Sequence, residues 1–297
     1  MQRFFTVTFI MRYLSLSLLL CTVVLGNGCS AIIDSQLSKF ADNLSDTLLN
    51  FEDPATVAGA TPTLLIVVDS MASGDKASAD LKLSAAQMYG AYSGAFVDHS
   101  ERTRQQVLTR RGLAYARDGS CKKDRRWCAV PGYNSAEFST FVASLETADV
   151  PVAYAYASAW LAYIQAHSDD WSIIADLSRA RELLQFVVAH DEGWDNAGAH
   201  LYLGAIATTL PPALGGKPEI GKAHFERALE LTDNRHLLVK VEYARRYARL
   251  TFDQDLHHRL LTDVVEADIK APDLTLMNAW AQQQAHQLLA TEAEYFE

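Results

Sequence analysis

The sequence predicts an all-α fold in which helical hairpins repeat and stack into a compact α-solenoid. Three observations predict it. Apolar residues recur at three- and four-residue intervals along most of the 297 residues, and no run alternates as a half-buried strand would. Turn-forming residues punctuate those runs at Asp53-Pro54, Gly74-Asp75, Asp118-Gly119, Asp191-Glu192-Gly193, Gly215-Gly216, Asp233-Asn234 and Ala271-Pro272. A large-small residue pair also returns at a regular interval: Leu161-Ala162, Leu203-Gly204 and Tyr243-Ala244 stand 42 and 40 residues apart.

Taken in chain order, the first segment is a leader and not part of the fold. Arg12 and Tyr13 precede an apolar run from Leu14 to Leu25, and small residues lead to Cys29, so residues 1–28 read as a lipoprotein-type signal peptide with Cys29 as the acylated first residue of the mature chain. Gly28 before Cys29 fits a lipobox, while Gly26 stands where Leu is usual. An ordinary cleaved signal and a retained helix are the alternatives, the latter weakened because the run falls short of the ~20 residues a span needs. Met1 and Met11 are both candidate starts. The default address is the periplasm, with the lipid in the inner leaflet of the outer membrane, because Ser30 gives no retention signal of the Asp type.

The remaining 29–297 reads as one helical repeat domain, clearest over 150–268. Helical spacing covers 33–51, 63–73, 80–97, 101–117, 136–146, 150–167, 172–190, 196–210, 218–232, 235–250, 254–268 and 273–293. Leu64-Leu65-Ile66-Val67-Val68 has strand propensity, but Asp69 and Met71 continue it as a buried helix. Pro151 and Pro218 sit where a first helical turn loses nothing by lacking an N–H, and Glu219 faces the positive end of its helix dipole. Gly221, Phe225 and Ala228 then recur at i, i+4 and i+7, the small-large-small spacing by which the second helix of a tetratricopeptide-like hairpin packs on the first. Leu161-Ala162 is answered by Ala180, Leu184 and Val187, and Tyr243-Ala244 by Leu256, Leu260 and Val264. A more divergent unit begins at Tyr89-Gly90 and runs through Arg104 to Ala116.

Charge and cysteine usage narrow the function classes. The leader carries only Arg3 and Arg12 among charged residues, so the rest of the chain keeps 24 basic residues against 36 acidic ones. That balance argues against nucleic acid as a partner. Arg110, Arg111, Lys122, Lys123, Arg125 and Arg126 cluster locally, as a partner patch or a solvated loop would. Cys121 and Cys128, close in sequence in an exported chain, are read as a local disulfide, with free thiols next and a metal pair last. No Gly-x-Ser-x-Gly elbow, His-Glu-x-x-His helix or phosphate loop is present, and the nine histidines form no ligand-spaced set. His257 and His258 read as exposed neighbours, and Asp169-Asp170 and Asp191-Glu192 as caps and turns. We therefore expect no catalytic residues, no metal and no cofactor.

Several segments resemble the TatT family, the tetratricopeptide-repeat lipoproteins associated with TRAP transporters. They are Asp149-Val150-Pro151 with Trp160, residues 199–204, Pro211 to Glu219, His224 to Glu230, Leu237 to Arg245, and the closing stretch Asn278 to Ala285 followed by Leu288-Leu289. The resemblance implies an accessory role in solute uptake at the periplasmic face. It also implies docking to the periplasmic solute-binding protein of a TRAP transporter, small hydrophobic or amphipathic acids as cargo, and assembly as a homo-oligomer, a trimer in relatives. Uptake driven by an ion gradient needs no nucleotide site. The competing reading is an envelope-assembly scaffold that docks proteins or peptides.

Repeat positions then nominate a groove. Tyr156 and Tyr163 lie seven apart with Trp160 between them, Leu201 and Ala205 take the corresponding places in the next unit, and Val241 and Arg245 in the one after. An aromatic stripe with a guanidinium beyond it suits an apolar body carrying a carboxylate. Core packing is the competing reading for the stripe.

Overall fold

The structure, a computed structural model, describes residues 43–214 and 216–297. Its contacts divide the chain into Met1–Asn50 and Phe51–Glu297. Of the first unit, residues 43–49 are helical (α1). The leader and Cys29 lie outside the described residues.

The second unit is helical throughout its described residues, with no strand: α2 Pro54–Ala72, α3 Ala79–Phe96, α4 Arg102–Lys123, α5 Ser135–Ala143, α6 Val150–Ala166, α7 Trp171–Ile174, α8 Leu177–His190, α9 Trp194–Ala207, α10 Pro218–Leu231, α11 Leu237–Glu242, α12 Gln254–Glu266, α13 Thr275–Ala290 and α14 Glu292–Phe296. Between α11 and α12 the chain continues as a π-helix, Tyr243–Ala248. The all-α repeat expectation therefore holds. Helices α3 and α4, α9 and α10, and α12 and α13 pack as neighbouring pairs, and α6 lies between α4 and α8.

The pairs close where glycine allows it. A Cβ on Gly204 would lie 2.7 Å from the Phe225 ring, and one on Gly221 would lie 3.0 Å from the Gly204 carbonyl oxygen, so bare backbone on α9 and α10 lets Phe225 fill the gap. Gly119 does the same on α4, where a Cβ would stand 2.9 Å from Leu83. The break expected at Asp118-Gly119 is thus not a break. α4 runs through it to Lys123 because that glycine serves close packing.

Two apolar cores result. The first contains Trp127, Phe138, Phe141, Tyr156 and Trp160. Trp127 meets Phe141 edge-on at 4.9 Å and Tyr156 at 5.6 Å, and Tyr156 meets Trp160 at 5.5 Å. Beside Trp127, Cys121 and Cys128 are joined as a disulfide that ties the end of α4 to the 3₁₀ stretch Arg125–Gly132. The second core gathers Phe225, Val241, Tyr243, Leu261, Ala281 and Ala285.

Helix α2 departs from expectation twice. It starts at Pro54, whose N-cap Asp53 accepts from Ala55 N–H at 3.0 Å and Thr56 N–H at 3.2 Å, nine residues ahead of the periodic run. Gly59 and Pro62 hide that first half from a periodicity reading. The helix is also not buried: Leu65 is 4% exposed, but Ile66 and Val67 are 71% and 49% exposed. Its inner face is fastened by Asp69, which accepts from Tyr115 Oη at 2.7 Å and pairs with Arg111, and by buried Lys82, whose Nζ donates to Ala72 O at 2.8 Å.

Candidate functional site

The expected groove residues separate into interior and surface. Tyr156, Trp160 and Val241 are 1%, 3% and 0% exposed, so they stand among core side chains and line no opening. Their stripe is apolar because it faces the neighbouring helices. Tyr163 is half-buried with its ring 4.1 Å from His167, and Leu201 and Ala205 are half-buried on α9. Of the set, Arg245 lines the arginine-rich cavity described next.

That cavity is built on the π-helix. A π turn lacks the ordinary i→i+4 ladder, and here Arg249 N–H reaches back five residues to the Ala244 carbonyl. The register is held from the inner side. Tyr243 Oη donates to Glu226 at 3.2 Å and Tyr247 Oη to Glu219 at 2.8 Å, while the Phe225 and Tyr243 rings stack at 5.5 Å. Both phenols are pushed up, Tyr247 to about 12, by burial first and by those carboxylates second. They act as donors only. With the tyrosines turned toward α10, Arg245, Arg246 and Arg249 come to the other side.

There the three arginines share a cavity of about 330 Å³ with Thr208, Thr209, Leu250 and Tyr295. Glu242, 9% exposed, accepts from Arg245 Nη1 and Arg246 Nε, both at 2.5 Å. Arg245 Nη2 also donates to Gln284 Oε1 at 2.7 Å. Arg249 is held differently: its guanidinium lies 4.4 Å from the centre of the Tyr295 ring, and its Nε is buried without a hydrogen-bond partner. Burial and the neighbouring Arg245 push its pKa down, with Tyr295 and Glu292 working the other way. Three cations against two buried carboxylates, Glu242 and the more distant Glu292, leave excess positive charge beside an aromatic ring and a leucine. Such a place accepts a carboxylate with an apolar body.

Arg245 was visible from repeat position. Arg246 and Arg249 were not, because the repeat comparison nominated one residue per turn and Tyr295, which closes the cavity with them, lies 46 residues beyond Arg249. A second cavity, about 270 Å³ and bounded by Asn196, Thr232, Arg235 and Asp273 among others, has mainly polar walls. Asn196 and Asp273 both have left-handed backbones there, with φ of 53° and 62°.

Two further charged groups correct the sequence reading. His257 is not an exposed neighbour of His258 but fully buried, and both donate through Nδ1 to Glu292, at 2.7 and 2.8 Å. Glu192 is more than a turn residue, since it receives Arg227 through both oxygens, at 3.0 and 2.5 Å. Asp170 does cap, accepting from Ser172 N–H at 2.9 Å.

The described residues thus form paired helices with a cavity among them lined by three arginines. Among families of known proteins, the chain matches the TRAP transporter T-component over residues 50–296. It belongs to that family and serves as an accessory component of a TRAP system at the cell envelope. No curated protein matches it.

Proposed function

We propose that this chain docks the solute-binding protein of its TRAP system and holds a small amphipathic carboxylic acid in the arginine cavity. The observation that carries the reading is the convergence of Arg245, Arg246 and Arg249 on one cavity, with one guanidinium nitrogen left without a partner. Glu242 offsets part of the charge, so the site suits one carboxylate better than two. Leu250 supplies apolar contact. The same proposal has the protein acylated at Cys29, facing the periplasm from the outer membrane, and self-associated.

Calorimetry with octanoate tests the cargo half, with octanol as the uncharged control. Octanoate should bind and octanol should not, and Arg249→Ala should weaken octanoate by about 1.5–3 kcal/mol, the range of a charge-assisted hydrogen bond. Capture of the solute-binding protein by the same variant should be unchanged. Equal affinity of wild type and Arg249→Ala would remove the cavity from cargo binding. The scaffold reading draws its support from the exposed apolar face of α2, where Ile66 and Val67 meet water. It gains if the partner is captured and octanoate is not bound.

A further inference from the structure

The five-residue helix α14 walls one side of the arginine cavity through Tyr295. Its base is fixed by Glu292, which gives one carboxylate oxygen to His257 and the other to His258 of α12. Phe296 stands edge-on to the buried His257 ring at 5.2 Å. Tyr295 itself is loosely kept. It lies over Arg249, its hydroxyl donates to the Arg249 carbonyl at 3.4 Å, and 41% of it meets water.

The residue that supports this ring is the informative one. Phe252 follows the π-helix with φ 56°, and Asp253 N–H reaches back past it to Ala248 O at 2.9 Å. That is the position after a helix where glycine is favoured and a bulky side chain is strained. Burial does not compensate for the choice, because Phe252 is 70% exposed. What the side chain does is lie 6.0 Å from both Tyr295 and Phe296, stacked on the first and edge-on to the second. A strained, exposed aromatic is thus kept where it supports a cover over a guanidinium whose Nε has no hydrogen-bond partner.

We propose that the end of α14 is a strap: Tyr295 occupies the place of cargo over Arg249 and is displaced when an apolar carboxylic acid enters. The incoming carboxylate takes the Arg249 N–H, and its apolar body takes the place of the tyrosine ring against Phe252 and Leu250. Glu292 holds the base in both states. The displacement rests on the cavity's reading as a carboxylate site; the cover itself does not.

Phenylglyoxal modification of the full chain without ligand, followed by peptide mapping, reads the cover directly. Arg235, whose side chain is 57% exposed, is the internal standard. Tyr295→Ala should raise the Arg249 rate about tenfold relative to Arg235, the scale of one lost cation–π contact. Phe252→Gly, which suits the backbone, should move it the same way, and Tyr295→Phe should not. An Arg249 rate unchanged in both Tyr295→Ala and Phe252→Gly overturns the strap. Octanoate added to wild type should then speed amide exchange at Tyr295 and Phe296. Slower exchange would mean that the strap closes on cargo and would overturn displacement. Fast Arg249 modification in Tyr295→Ala with no octanoate binding would overturn the cargo reading and leave the cover standing.

Discussion

His200 and His224 face each other across α9 and α10 with their Nδ1 atoms 2.9 Å apart, so one ring must be neutral at that nitrogen to accept from the other. Burial first, and the proximity of His200 second, push the His224 pKa down to about 4. His200 is also lowered, chiefly by burial, although Glu192 pulls it upward. A histidine whose pKa falls on folding binds its proton more readily in the unfolded chain. Its contribution is therefore full above about 6.5 and is lost as pH drops toward 4. Discounted for the partial exposure of His224, the loss should be about 1–2 kcal/mol. Thermal melts from pH 7 to pH 4 should show this loss in wild type and a flatter profile in His224→Gln. Identical profiles would mean that the pair is not coupled to folding. At the same scale, Asn278 shows what a polar residue in the closing helix is for. Fully buried, it accepts from Leu237 N–H at 2.9 Å and donates to the Arg235 and Ile269 carbonyls at 2.9 and 3.1 Å. No periodicity reading finds such a clamp, because its partners are backbone groups brought close only by the fold.

Helix pairs are the scale at which the sequence was most readable. The small-large-small positions Gly221, Phe225 and Ala228 all lie inside, and Gly204 opposes Phe225 as repeat logic requires. Gly204→Leu should force α9 and α10 apart, because no side chain fits 2.7 Å from a fully buried phenylalanine ring. The cost should be about 1–3 kcal/mol, seen as a melting temperature lower by roughly 5 °C. An unchanged melt would mean that α10 tilts away at no cost. Helix ends were less readable, since they depend on caps and tertiary contacts more than on period. Helix α4 continues past Gly119, and α2 begins before its apolar run, in each case because a neighbour or a cap outweighs local propensity. The π-helix was invisible for the same reason. Tyr243 and Tyr247 look like ordinary helical neighbours until Glu226 and Glu219 fix where they point.

Across the whole molecule, the candidate site was legible only as a charge at a repeat position. The aromatic stripe through Tyr156 and Trp160 serves the core, and the ring that does reach the arginines, Tyr295, comes from the far end of the chain. Long-range closure of that kind leaves no local pattern. What the sequence alone can address is attachment. Residues 29–297 carry 24 basic residues against 36 acidic ones, so their net charge does not favour an anionic membrane surface. The acylation proposed at Cys29 would supply an anchor at about 0.8 kcal/mol per buried methylene. The family match spans 50–296, which leaves Cys29 outside the part that relatives share in that comparison. Anchor and binding body should therefore be separable. In fractionated cells, wild type should sediment with membranes, whereas Cys29→Ser should appear almost wholly in the soluble fraction. The released protein should still capture the solute-binding protein and still bind octanoate. Membrane retention of Cys29→Ser would assign the anchor to an uncleaved leader or to the exposed apolar face of α2. Release accompanied by loss of the partner would mean that docking needs the membrane to align the two proteins.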